Sequence, residues 1–85
     1  MIEYAPPLTN QTMGYYQAEL YCQFLEYNGH QDWILPTFDN ILAMRHILPV
    51  DLNITDMMFR DDNPLLIEMI LKTGRTFVIV PIRYN

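Results

Sequence analysis

The chain of 85 residues has one cysteine, three glycines, two histidines and five basic residues. Each shortage closes off a class of protein. Cys22 alone can form neither an intrachain disulfide nor a four-cysteine zinc site. His30 and His46 show no metal-ligand spacing. The bases Arg45, Arg60, Lys72, Arg75 and Arg83 are scattered, so no stripe exists to neutralise phosphates and no nucleic-acid binding is expected. No run approaches the 18 or so apolar residues of a membrane span. Three isolated glycines make no phosphate loop. No Ser-His-Asp or paired-carboxylate arrangement is indicated, so neither an enzyme nor a cofactor is expected. The segment from Met1 to Met13 lacks a basic n-region, an apolar h-region and a small-residue cleavage site. With one unpaired cysteine, this points to a reducing compartment: the cytoplasm, or a virion assembled there.

What is present is apolar and acidic. Ten Asp and Glu give a formal net charge of −5, read as a solubility device. Residues 1–85 make a single domain, and a chain this short buries only about 60–65% of its unfolded surface. Without disulfides or metals, oligomerisation or a partner is the staple that remains.

The order of elements predicts an α+β fold: two helices packed on a small antiparallel sheet that ends in a C-terminal hairpin. Pro6-Pro7 marks an extended lead-in. A first helix is expected from Tyr15 to Tyr27, stopped by Asn28-Gly29. A second begins after Pro36-Thr37, with Thr37 as N-cap, Asp39 suiting the helix dipole and Pro49 ending the run near Leu48. Met57 to Arg60 is a short strand candidate, and Asp61-Asp62-Asn63-Pro64 a turn. Two apolar runs, 65–72 and 76–84, pair around a Thr73-Gly74 turn. Helix is the competing reading for 65–71, where Leu, Met and Glu favour it.

Both the first helix and the hairpin carry more apolar surface than one core needs. Ala18, Tyr21, Cys22 and Leu25 follow i, i+3, i+4, i+7 and form a core stripe. Tyr16, Leu20, Phe24 and Tyr27 repeat that spacing on the opposite side. In the hairpin, Leu65, Ile67, Met69 and Leu71 share a core face with Val78, Val80 and Ile82. The other face holds Leu66, Ile70, Phe77 and Ile79, interrupted by Glu68 and Arg83. Each second face either packs on another part of the same chain, as a central strand covered on both sides would, or stays exposed, in which case an apolar patch of this size marks an interface and its aromatic content suits one. The expected partner surface is therefore Tyr16, Leu20, Phe24, Tyr27, Leu66, Ile70, Phe77 and Ile79.

The stretch from Ala18 to Ile41 carries a pattern. It reads Tyr21-Cys22, then Asn28-Gly29, then Asp32-Trp33-Ile34-Leu35-Pro36-Thr37, then the apolar Ile41. This resembles the signature of the C-terminal domain family of collagen-like bacterial adhesins, within the C-type-lectin-like group. Val78-x-Val80-Pro81-Ile82-Arg83 resembles the closing strand of such domains. Ile34 stands where that family usually has Arg, the Trp-Ser-Ser type of motif is replaced by Phe59-Arg60-Asp61-Asp62, and the ligand-bearing loops are nearly gone. The resemblance implies a trimmed C-type-lectin-like core, in which Trp33, Leu35 and Pro36 join Ala18, Tyr21, Cys22 and Leu25 as fold-defining residues.

Single chemical sites carry little. Asp61-Asp62-Asn63 offers oxygen ligands for calcium, yet lacks the Glu-Pro-Asn and Trp-Asn-Asp signatures of lectins and suits a turn. Cys22 sits on the core stripe as a small hydrophobe. His30 suits a loop or capping contact, and His46 a solvated position. The expected function is thus a non-catalytic interaction or structural module, a phage virion or accessory protein in style. It binds itself or a host or virion protein, with homo-oligomerisation expected. The alternatives are a small inhibitor of a host enzyme or defence protein and, by fold analogy alone, a carbohydrate-binding domain.

Overall fold

The computed structural model describes residues 1–60 and 76–85. The 65–72 hairpin arm, the Thr73-Gly74 turn, the Asp61-Asp62-Asn63 cluster, and the sites at Leu66 and Ile70 lie outside the described residues. The order is β1 (Ile2–Tyr4), β2 (Leu8–Gln11), α1 (Tyr15–Phe24), α2 (Phe38–Met44), a 3-10 turn (Ile54–Asp56), β3 (Phe77–Ile79) and β4 (Ile82–Tyr84). Among the described residues, two helices and four antiparallel strands make an α+β fold, the class expected.

The lead-in does more than extend. It runs antiparallel to the C-terminal segment along its length, with β1 on β4 (Ile2 opposite Tyr84, Tyr4 opposite Ile82) and β2 on β3 (Leu8 opposite Ile79, Gln11 opposite Phe77). Proline has no N–H to donate to a ladder, so Pro6-Pro7 on one side and Pro81 on the other divide the ribbon into two sheets. The Ala5 N–H still reaches the Pro81 carbonyl at 2.9 Å and joins the two halves. Within the β2–β3 pair the register shifts by one residue between Leu8 and Gln11, a bulge in which Asn10 takes φ 57°. Asn tolerates that left-handed geometry better than most residues. The termini finish the ribbon, the Asn85 N–H donating to the Met1 carbonyl at 3.0 Å.

The segment from 76 to 84 is therefore two strands broken at Val80-Pro81, and it is central. On its far edge Ile34 and Ile82 exchange two backbone hydrogen bonds of 2.8 Å, and the Met58 N–H donates to the Val78 carbonyl at 3.0 Å. The expected Met57 to Arg60 strand is reduced to two parallel bridges, Met57 with Val78 and Arg60 with Thr37.

Alternation then assigns each face to a helix. Phe77 and Ile79 cluster with Tyr15, Ala18 and Cys22 of α1, together with Leu35 and Met58. Val78, Val80 and Ile82 cluster with Ile41 and Met44 of α2, together with Leu48 and Met57. A strand covered on both faces reads as a continuous apolar run, as this one does. The placement of Phe77 and Ile79 on an outer face is overturned: they are 6% and 0% exposed, because α1 packs on them.

Both helices are shorter than expected. α1 ends at Phe24, where Leu25 turns extended (φ −69°, ψ 128°). Asn28 and Gly29, at φ 55° and 77°, form instead the centre of a two-residue turn. Tyr27 and His30 close it with two backbone hydrogen bonds of 3.0 Å. Two consecutive positive φ values make this the I′ geometry that Asn-Gly favours. α2 starts as expected: the Thr37 hydroxyl accepts from the Asn40 N–H at 3.1 Å, and the Asn40 side chain accepts from the Thr37 N–H at 3.0 Å. It ends at Met44, four residues before Leu48.

Candidate functional site

The outer side of α1 is a ridge. Tyr16, Leu20 and Phe24 are spaced by four, which stacks them along one row of the helix. They are 61%, 50% and 78% exposed, and the exposed Gln17 and Gln23 flank them. The opposite side of the same helix buries Tyr15, Ala18 and Cys22 completely or nearly so. Tyr27 does not continue the ridge, since the helix has ended three residues earlier. It sits in the two-residue turn at 42% exposure, its ring 5.9 Å from that of Trp33.

Of the residues expected to define the core, Ala18, Cys22, Trp33, Leu35 and Pro36 are buried. Tyr21 is half-buried and packs against the α1-side cluster. Leu25 is half-buried beyond the helix end, so it leaves the stripe on which helical spacing placed it.

Five of the six positions from Asp32 to Thr37 make a hydrogen bond that ties the segment to the fold, and the sixth, Leu35, is buried in the α1-side cluster. Asp32 accepts from Arg83 twice, at 2.7 Å from Nε and 3.3 Å from Nη2. The Trp33 indole N–H donates to the His30 carbonyl at 3.0 Å, which satisfies its polar atom while the ring is buried. Ile34 pairs with β4, the Pro36 carbonyl accepts from the Arg60 N–H at 2.7 Å, and Thr37 caps α2. Arg83 also donates to Glu3, so one guanidinium joins β1, β4 and this segment. The hydrogen bond from Arg83 holds the Asp32 carboxyl below its usual range, and the two carboxylates raise the Arg83 pKa.

The Cys22 thiol is fully buried. Burial, and secondarily the charge of Glu19, push its pKa up to about 12, so at neutral pH it is protonated and unreactive. Beside α1 a cleft of about 320 Å³ is lined by Glu19, Gln23, Trp33, Ile34, Leu35 and Arg60. Among the described residues, no group of three or more His, Cys, Asp or Glu is placed to hold a metal ion, and no helix is long and apolar enough to cross a membrane.

Two features escaped the sequence reading. α2 also shows apolar side chains outward, Phe38 and Leu42, four residues apart and therefore legible as a row. The Glu3–Arg83–Asp32 cluster joins residues 80 and 51 positions apart, and no local spacing announces it. Set against known protein families, curated proteins and solved structures, the chain matches none.

Proposed function

We propose that this chain is a non-catalytic interaction module that docks on protein through the outer ridge of α1. The observation that supports it is the row Tyr16, Leu20 and Phe24, half or more exposed and flanked by glutamines on a helix whose other side is fully packed. Exposed aromatic and aliphatic side chains in one contiguous row have the composition of an interface core. A domain of this size gains stability from any partner that binds its folded state.

A photo-crosslinking residue at Phe24, in the protein expressed in its own cells, tests the reading. The expected result is a discrete adduct whose mass identifies a protein, reduced strongly by Leu20→Asp. The same residue placed at the exposed Asp39 should give no such adduct. Equal adducts from both positions, or none from Phe24, would remove the ridge as a docking surface.

A further inference from the structure

The ridge lies in the half of the chain that holds all the net charge. Residues 1–44 contain five acidic residues (Glu3, Glu19, Glu26, Asp32 and Asp39) and no Lys or Arg. Residues 45–85 contain five acidic and five basic residues and are neutral. Arg83 engages two of the five, Glu3 and Asp32. Glu19 lies on α1 and Glu26 two residues past its end, and Glu19 shares with Arg60 the lining of the cleft beside the helix. Phe24, the most exposed of the three ridge residues, stands at the C-terminal end of α1, where the helix dipole is negative. No basic residue occupies that last turn, and Glu26 adds its charge there.

We infer that the occupant of the ridge is a cationic amphipathic helix of another protein, its apolar row flanked by Lys or Arg. This rests on the docking role proposed above and names the partner's chemistry. A row of residues spaced by four packs into the groove between equivalent rows of a second helix. Basic flanks on that helix would meet Glu26, the negative helix end and Glu19, which gives orientation as well as attraction. A second copy of this chain is the poorer occupant. Two-fold pairing of the ridge would bring Glu19 and Glu26 of both copies together with no base on either helix.

The test uses two synthetic peptides of about 18 residues, five helical turns, sharing one leucine row and differing only in flanks of Lys or Glu. Their affinity for the full chain is measured by fluorescence anisotropy at low salt and again near 1 M salt, where the screening length falls to ~3 Å. The Lys-flanked peptide should bind about tenfold or more tightly than its Glu counterpart, and high salt should erase the difference. Leu20→Asp adds a negative charge, so a purely electrostatic contact would strengthen, whereas a contact seated on the ridge is lost. Phe24→Ser provides the same loss without a new charge, and circular dichroism confirms that both variants fold. Equal binding of the two peptides, or undiminished binding by both variants, overturns the inference. Light scattering that finds a dimer at low salt, abolished by Leu20→Asp, also overturns it by making the second copy the occupant. That last result would leave the docking role standing. The crosslinking experiment alone decides that role.

Discussion

The strand segment from Phe77 to Ile82 and the helix α1 look alike in sequence, since both are apolar on two sides, yet they end differently. Every residue from Phe77 to Ile82 is buried, one face against α1 and the other against α2. α1 is buried on one side only, and its second side carries the exposed ridge. The difference lies in the neighbours. The strand has β1 and β2 on one edge, the bridges from Ile34 and Met57 on the other, and a helix over each face. Among the described residues, the inner side of α1 packs on Leu8, Phe77 and Ile79 of the strand layer and on Leu35 and Met58. Two-sided apolarity in a short chain thus signals burial for a central strand and a surface for an outer helix.

Truncation in the strand should have the largest effect of any change proposed here. Ile79→Ala removes three carbons from a site with no exposed surface, with Phe77, Cys22 and Leu35 in the same cluster. It should cost about 2–5 kcal/mol in urea unfolding, a large share of what so small a core provides. A cost below about 1 kcal/mol would mean that the α1-side core is loosely filled. The claimed contrast between strand and helix would then weaken.

This contrast also shows what the sequence could and could not convey. The α2 start was legible because a cap is local chemistry: Thr37 and Asn40 are three residues apart and bond each other. Ala18 and Cys22 were legible as core from helical spacing, whereas Trp33 and Leu35 entered it with the Asp-Trp-x-Leu-Pro-Thr pattern and not by periodicity. Asn28-Gly29 is legible as a break but not as a particular one, because the same pair suits a helix stop and a two-residue turn, and only the helix end at Phe24 decides. The partnership of the N-terminal lead-in with β3 and β4 was not legible, since its register is set by contacts some 70 to 80 residues distant in sequence. For the same reason the burial of Phe77 and Ile79 is not legible in the sequence. The ridge residues Tyr16, Leu20 and Phe24 were legible as a row, while Tyr27 dropped out with the shortened helix.

The buried side of α1 should reveal itself at alkaline pH. The Cys22 thiol is raised from an ordinary 9.0 to about 12 by burial first and by Glu19 second. The unfolded chain therefore releases this proton at lower pH than the folded chain does. Stability from this group is complete below pH 9 and declines as pH rises from there toward 12. Cys22→Ala should flatten that part of the profile relative to the parent, in thermal unfolding scans compared at matched pH. Every other side chain is common to both proteins, so the difference isolates the thiol. Identical alkaline profiles would mean that the thiol is solvated and that α1 does not seal its inner side.

A smaller effect is expected at the Arg83 cluster, which fastens the ribbon from outside. The folded carboxyl of Asp32 is held below its ordinary value of 3.8 by the hydrogen bond from Arg83. Its contribution is present above that value and is lost as pH falls through the depressed one. Asp32→Asn should lower the melting temperature slightly at neutral pH and make no difference in strong acid. High salt should shrink the effect, because the Asp32 side chain is 60% exposed. An equal loss at every pH would assign the residue to packing or turn geometry instead of charge.

Leu20→Ala should be the mildest change of all, and it bears most directly on the contrast. Leu20 lies on the outer row with half its surface free, and alanine is at least as good a helix former. If nothing in the folded chain covers the ridge, the substitution should shift stability by less than about 0.5 kcal/mol. The same change should still weaken the Lys-flanked peptide severalfold, because the leucine is offered to a partner and not to the core. Stability and binding thus move apart for an interface residue and together for a packed one. If Leu20→Ala cost about 2 kcal/mol or more in urea unfolding, the ridge would have to be counted as covered core. The helix would then share the strand's condition, with both of its faces buried.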